Sequence, residues 1–157
     1  MIQRLTSFDP DRLGRLAAVH HAAFAPTSRG WSGAEIEGLA RTGALYADDV
    51  DRGFALFSVV VDEAELLTVA VNPDDRRSGL GRALLAAGEA DLRLSGIAKI
   101  HLEVAADNIP AAALYAALGY QTAGVRKGYY SRSEGVRVDA VMMVKGLLGS
   151  AVEAAIM

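Results

Sequence analysis

Residues 66–82 read Leu66-Leu67-Thr68-Val69-Ala70-Val71-Asn72-Pro73-Asp74-Asp75-Arg76-Arg77-Ser78-Gly79-Leu80-Gly81-Arg82. The first six are apolar or β-branched, and the last seven interleave glycine with arginine. A buried strand is therefore expected to feed a loop that opens directly into a helix. A helix start leaves backbone N–H groups without partners and carries partial positive charge, so phosphate oxygens are favoured there. Glycine lacks a Cβ, which lets the backbone bend tightly and approach a ligand closely. A pyrophosphate is the expected guest. A P-loop would need a lysine after its last glycine, and none stands here. A dinucleotide fingerprint would need a third glycine, but Gly79-Leu80-Gly81 is followed by Arg82, Ala83 and Leu84. What remains is Arg76-x-x-Gly79-x-Gly81 flanked by Arg77 and Arg82, a pattern that alone also suits a plain turn into a helix.

The rest of the chain narrows the choice. At 157 residues it is expected to fold as one domain over residues 1–145, followed by a tail, 146–157, of unassigned role. Its apolar runs fall short of the roughly 18 residues that a membrane span needs. Arg4, Asp9, Asp11 and Arg12 break any secretory hydrophobic region near the start. A soluble, cytoplasmic protein is expected, a monomer or weak dimer with no membrane partner. There is no cysteine, which excludes disulfides, thiol nucleophiles and thiolate metal sites. His20, His21 and His101 are the only histidines and argue against a metal site. A net charge of −3 argues against a nucleic-acid partner.

Periodicity supplies the frame. Met1–Thr6 reads as a strand. Asp9 or Asp11 then caps a helix whose Leu13, Leu16, Ala17, Val19 and Ala23 recur at helical spacing, and His20 and His21 close it. After the loop 26–30 comes Trp31, either a staple on the next helix or the wall of a pocket. Ser32-x-x-Glu35 is a reciprocal capping pair that opens a helix to about Arg41, with Gly43 as its stop. Strands are expected at Ala44–Ala47, Gly53–Val61 and Glu65–Val71, joined by short polar turns and so antiparallel. The helix after the glycine loop runs to a stop at Gly96.

Lys99 to Val104 alternates cleanly: Ile100, Leu102 and Val104 point one way, Lys99, His101 and Glu103 the other. Its link to the preceding strand is a helix, so Glu65–Val71 and Lys99–Val104 should lie parallel and adjacent, both ending on the cradle side. Ligands gather at the carboxyl ends of such strands. That places Glu103, or its rival His101, near the chemistry. Asn108 is positioned to cap a helix Pro110–Leu118 that stops at Gly119. Tyr115 on that helix reads as a core residue or as an acid.

Taken in order, L-L-T-V-A-V-x-P, R-R-x-G-L-G-R-A-L-L, L-E-V-x-x-x-N-x-P-A-x-x-L-Y-x-x-L-G-Y, G-Y-Y and D-A-V-M-M resemble the GNAT family of N-acetyltransferases. Within that family the chain is most similar to the RimI-like branch, which acetylates the N-terminal alanine of a ribosomal protein. The resemblance implies an α/β fold: a mixed, mostly antiparallel sheet of six to seven strands, two central parallel strands splayed apart, and about four flanking helices. It implies acetyl-CoA as the acetyl donor and no metal. Carried over by position, Val69, Ala70 and Val71 would bind the acetyl-pantetheine arm, and Arg77, Ser78, Gly79, Leu80, Gly81 and Arg82 would wrap the pyrophosphate. Asn108 would touch the pantetheine, Glu103 would be the general base and Tyr115 would protonate the leaving thiolate.

A protein or peptide N-terminus is the implied acceptor, and the segments expected to wall its groove are the Trp31–Arg41 region and the loop Arg126–Gly135, carrying Tyr129 and Tyr130. An α-amine of pKa about 7.7–8.0 is already about a tenth neutral at pH 7, whereas a lysine near about 10.4 is almost wholly charged. Two other readings stand beside this one: the same catalyst acting on a small amine or a lysine side chain, and a coenzyme A-binding sensor without catalysis.

Overall fold

The protein is described by a computed structural model covering residues 1–25 and 29–148. Seven strands form one sheet: β1 (Ile2–Leu5), β2 (Gly43–Asp48), β3 (Gly53–Val60), β4 (Glu63–Val71), β5 (Lys99–Ala105), β6 (Gln121–Ser131) and β7 (Arg137–Gly146). Their spatial order is β1-β2-β3-β4-β5-β7-β6. The helices among the described residues are α1 (Pro10–Phe24), α2 (Gly33–Arg41), α3 (Leu80–Leu94) and α4 (Ile109–Ala117). Every neighbouring pair is antiparallel except β4 and β5, which α3 connects.

Local chemistry explains where the helices begin. Asp9, not Asp11, caps α1: its carboxylate accepts the Arg12 N–H at 3.1 Å. Ser32 Oγ accepts the Glu35 N–H at 3.1 Å while Glu35 accepts the Ser32 N–H at 3.2 Å, so both orphan amides of α2 are satisfied. One expectation fails at the other end of α2. Thr42 ends the helix and Gly43 begins β2, where any Cβ would collide with the Phe57 carbonyl oxygen. Tight strand pairing, rather than helix termination, requires glycine there.

The sheet separates two cores. On one face α3 and α4 bury Leu84, Leu85 and Tyr115 against Ile100, Leu102 and Val104. On the other, α1 and α2 bury Leu13, Leu16 and Ile36 against Leu45, Phe54 and Leu56. Each fully buried side chain of this kind contributes roughly 1.5–3 kcal/mol. These packings fix the ends of β4 and β5 relative to the start of α3. The turn after β2 holds the cradle's approach: buried Asp48 accepts the Arg52 and Gly53 N–H groups, and the Arg52 carbonyl accepts the Asn72 N–H at 2.7 Å. At the chain's far end Gly146 closes β7, and buried Leu147 donates its N–H to the Ala98 carbonyl at 2.7 Å. The remainder of the tail, 149–157, lies outside the described residues, as does 26–28 of the loop before Trp31.

The two parallel strands part company. They pair only at Glu63 with Lys99, Ala64 with Ile100 and Glu65 with His101, although β4 continues to Val71 and β5 to Ala105. Beyond Glu65 the facing edges make no ladder with each other, so backbone polar groups line an opening in the middle of the sheet. A bulge in β4 sits at the same point: Leu56 pairs with Thr68 and Phe57 with Leu66, which leaves Leu67 as an extra residue. The extra residue inverts the alternation. Ala64 and Leu66 face the α3 core and so do Val69 and Val71, while Ala70 turns to the α1 face.

Candidate active site

The cradle is built mostly from backbone. After a single 3-10 turn at Pro73–Asp75, Arg77 (φ 64) and Gly79 (φ 83) both take left-handed conformations, and Leu80 begins α3. A left-handed arginine is strained, and strain of this sort gathers at ligand loops. Ser78 holds the bend: its hydroxyl donates to the Asp75 carbonyl at 2.6 Å and accepts the Leu80 N–H at 3.4 Å. The first-turn amides of Gly81 and Arg82 have no intrahelical partner. A Cβ on Gly79 would meet nothing within 4 Å, and one on Gly81 would stand 3.7 Å from Val71 and 3.8 Å from Leu114. Both glycines thus leave space beside them, Gly81 next to the β4 end and α4.

The arginines divide into two kinds. Arg76 is structural, its guanidinium donating to the Ala23 carbonyl at the end of α1 at 3.0 Å. Arg77 and Arg82 are exposed, and among the described residues neither has a carboxylate partner. Two uncommitted cations flank a bundle of free amides, which is the chemistry a pyrophosphate requires.

Glu103 lies on the β5 face turned away from α3, opposite Met142 of β7, with its side chain 24% exposed. It lines a cavity of about 210 Å³ together with Glu65, His101, Arg126 and Met142. Arg126 Nε stands 3.4 Å from its Oε1. His101, the rival base, is committed elsewhere: its Nε2 is 2.9 Å from Glu63 Oε1. Asn108 caps α4, its side-chain oxygen accepting the Ala111 N–H at 3.3 Å, which leaves its amide NH₂ without a partner among the described residues.

Tyr115 is buried against the α3 core, and burial first, then nearby Tyr130, pushes its phenol up to about 12. It is braced from behind. The Tyr120 ring meets it edge-on at 5.8 Å, and the Tyr120 hydroxyl donates to buried Glu89 at 2.8 Å. Lys145 donates to the other Glu89 oxygen at 2.6 Å. Among the described residues the Tyr115 hydroxyl itself makes no hydrogen bond, so its proton remains available.

Of the expected acceptor loop, 126–135, only the part after Ser131 lies outside the strands. Arg126 to Ser131 continue β6, interrupted by a wide bulge in which Arg126 pairs with Ala140 and Tyr130 with Val138, so three residues oppose Asp139 alone. Asp139 closes the bulge by accepting the Gly128 N–H at 2.8 Å and pairing with Lys127 at 3.3 Å. Sequence periodicity misses this because the bulge breaks the alternation and because Gly128 adopts φ 57. Tyr129 and Tyr130 cross edge to face at 5.1 Å. Arg132 lies over the Tyr130 ring and grips Asp107 with two bonds of 3.0 and 3.1 Å, tying this hairpin to the turn before α4. Burial and then the Glu103 charge raise the Tyr130 phenol, and Tyr130 in turn raises Tyr115. Tyr130 therefore stands within electrostatic reach of both the carboxylate and the phenol.

Trp31 packs beside the end of α1. It stacks on His20 at 4.6 Å and packs in the α1–α2 core. His20 Nδ1 accepts the Trp31 N–H at 3.0 Å, so Nε2 carries the ring proton and donates to Thr68 Oγ1 at 3.3 Å. The helix-end histidine thus connects the segment before α2 to the bulged part of β4. Its burial, only partly offset by Glu35, lowers its pKa to about 4 and keeps it neutral.

Comparison with known proteins agrees with this architecture. Residues 8–120 match the model of the acetyltransferase (GNAT) family. Over 90 residues the chain is 48% identical to the ribosomal protein bS18-alanine N-acetyltransferase of Escherichia coli K12, spanning 57% of this chain and 60% of that relative. It is 32% identical to the Haemophilus ducreyi protein of the same name over 149 residues, 91% of this chain and 97% of that one. The crystal structure of the E. coli ribosomal-protein-S18-alanine N-acetyltransferase superposes with a TM-score of 0.80 at 33% identity, covering 94% of each chain. The splayed sheet, the glycine cradle and these alignments together establish that the chain belongs to the GNAT acetyltransferase family.

Proposed function

We propose that the protein transfers the acetyl group of acetyl-CoA to the N-terminal α-amine of a protein in the cytoplasm, a ribosomal protein that begins with alanine. The observation that carries this is the unladdered opening between β4 and β5, which ends at free amides flanked by unpaired Arg77 and Arg82. Likeness to the bS18-alanine N-acetyltransferases over nearly the whole chain supports the choice of acceptor.

The residues present fit the donor. Gly81 leaves van der Waals room beside Val71 and Leu114, and the β4 edge from Val69 to Val71 offers backbone donors and acceptors to an amide-bearing arm. Ser78, Gly79, Leu80, Gly81 and Arg82 would hold the pyrophosphate, and the free Asn108 amide would meet the pantetheine. Acetyl-CoA supplies an activated thioester carbon. The chain supplies position and proton handling.

Glu103 receives the proton that the acceptor ammonium must lose before its nitrogen can attack. About a tenth of α-amines are neutral at pH 7, so the demand on Glu103 is modest, and far smaller than a lysine would impose. Tyr115 works on the other side of the opening. A phenol held near 12 stays protonated at every physiological pH and donates a hydrogen bond toward sulfur as negative charge develops. Full proton transfer to a thiolate, whose thiol pKa is about 8.5, is uphill, so Tyr115 acts chiefly as a donor to the partial charge. Tyr129 and Tyr130 form the acceptor wall beside Glu103.

The test is intact-peptide mass spectrometry with acetyl-CoA and a library of peptides differing in their first residue. Acetylation of the α-amine, strongest for peptides that begin with alanine, is expected. Modification confined to lysine side chains, or thiol release only with small amines, would contradict the proposal.

A further inference from the structure

Two cations next to the β6 bulge have carboxylate partners of their own. Arg132 is held by two hydrogen bonds to Asp107 and covers the Tyr130 ring. Lys127 donates to Asp139 at 3.3 Å, inside the bulge that the same carboxylate closes. Arg126 differs. Its one carboxylate contact is the 3.4 Å approach to Glu103, too loosely aligned to be a hydrogen bond, and half of its side chain is in water. In the same arrangement its guanidinium lies 5.4 Å from the centre of the Tyr129 ring, so it can leave Glu103 without leaving that ring.

The acceptor must bring its own cation to this spot. An α-amine arrives largely as ammonium, and Glu103 can receive its proton only once the two are in contact. Guanidinium and ammonium then compete for one carboxylate. We infer that Arg126 is a specificity-determining counter-ion: it occupies the acceptor ammonium's place at Glu103 and yields by moving off the carboxylate while it stays over Tyr129. The inference rests on the reading of Glu103 as the base. A half-exposed ion pair is cheap to break, so displacement is easy, yet an uncharged group has no means of effecting it. Selection for a cationic amine follows, and acetylation removes that charge, letting Arg126 return as the neutral product leaves. The cavity's other titratable groups are Glu65 and His101, and His101 is already engaged by Glu63.

Calorimetry of peptide binding tests this without relying on turnover. The probes are one short peptide with a free N-terminal alanine and the same peptide N-acetylated, each titrated into the full-length protein and into R126Q. Loss of the competing cation should tighten the free-amine peptide about five-fold at low salt, less at high salt, and leave the acetylated peptide unchanged. The gain should vanish in the E103Q background. Unchanged or weaker binding of the free amine, equal tightening of both peptides, or the same gain without Glu103 would each overturn the inference. Whether E103Q retains turnover is a separate readout, and full turnover would dismiss Glu103 as base even if the exchange of cations were observed.

Discussion

The proposed donor and acceptor sides of this site are made differently. The cradle is one continuous segment, residues 69–82, whose working groups are main-chain amides; its side chains either brace the bend, as Ser78 does, or supply bulk charge. The acceptor side is assembled from β5, the β6 bulge and the turn before α4, and its working groups are side chains: Glu103, Arg126, Tyr129 and Tyr130. Backbone chemistry needs particular glycines at particular spacings, which leaves a motif. Side-chain chemistry gathered by strand register leaves almost none. The donor side should accordingly tolerate little backbone change, whereas the acceptor side should be tunable one residue at a time.

The largest expected effects lie where the two sides meet. Tyr115→Phe should lower kcat by roughly a hundred-fold, and Glu103→Gln by about ten-fold at pH 7, while acetyl-CoA affinity changes little. Parallel loss of donor affinity, measured by calorimetry, would show that these residues belong to the donor side instead. Next comes the cradle. Removing both Arg77 and Arg82 as alanine should weaken acetyl-CoA about ten-fold, less at high salt, and leave the acceptor KM nearly unchanged. A larger effect on the acceptor than on the donor would break the division.

Third is the support beneath the bulged strand. Folded His20 holds its proton more weakly than the unfolded chain does, at about 4 against the ordinary value of 6.5. The unfolded state therefore gains the proton first as pH falls, so this stabilisation is intact above about 6.5 and drains away towards 4. Denaturant melts should show about 1 kcal/mol lost by pH 5.5, and His20→Gln should remove that part of the slope. An identical pH profile in the variant would mean that other groups dominate. Smallest is the clasp of the acceptor bulge: Asp139→Ala should raise the acceptor KM a few-fold by loosening Gly128 and Lys127, with donor binding untouched.

Much of the fold is legible in the letters, because its signals are local. The Asp9 cap, the Ser32–Glu35 pair, the polar turns and the clean alternation of Lys99 to Val104 each reach no further than a turn or two. The splay of β4 from β5 followed from family resemblance rather than from any pattern within the strands. What the letters hid is non-local. Leu67 looks like any strand residue, yet it is the bulge that inverts the faces of β4. Residues 126–131 read as loop because glycine and paired tyrosines mask a strand whose ladder re-forms beyond the bulge. Trp31 takes its place from His20 on α1, eleven residues earlier, a contact that the Ser32–Glu35 cap beside it does not announce. The charge coupling of Tyr130 to Glu103 and Tyr115 joins three separate elements, and no single segment encodes it.

The central claim is that the opening between β4 and β5 receives the donor and that main-chain amides at the start of α3 hold its pyrophosphate. A crystal structure with acetyl-CoA tests it most directly. The thioester should lie against Val69–Val71, with phosphate oxygens hydrogen-bonded to the Gly79, Gly81 and Arg82 amides. A closed opening with the nucleotide bound elsewhere, or a pyrophosphate held only by side chains, would contradict the account.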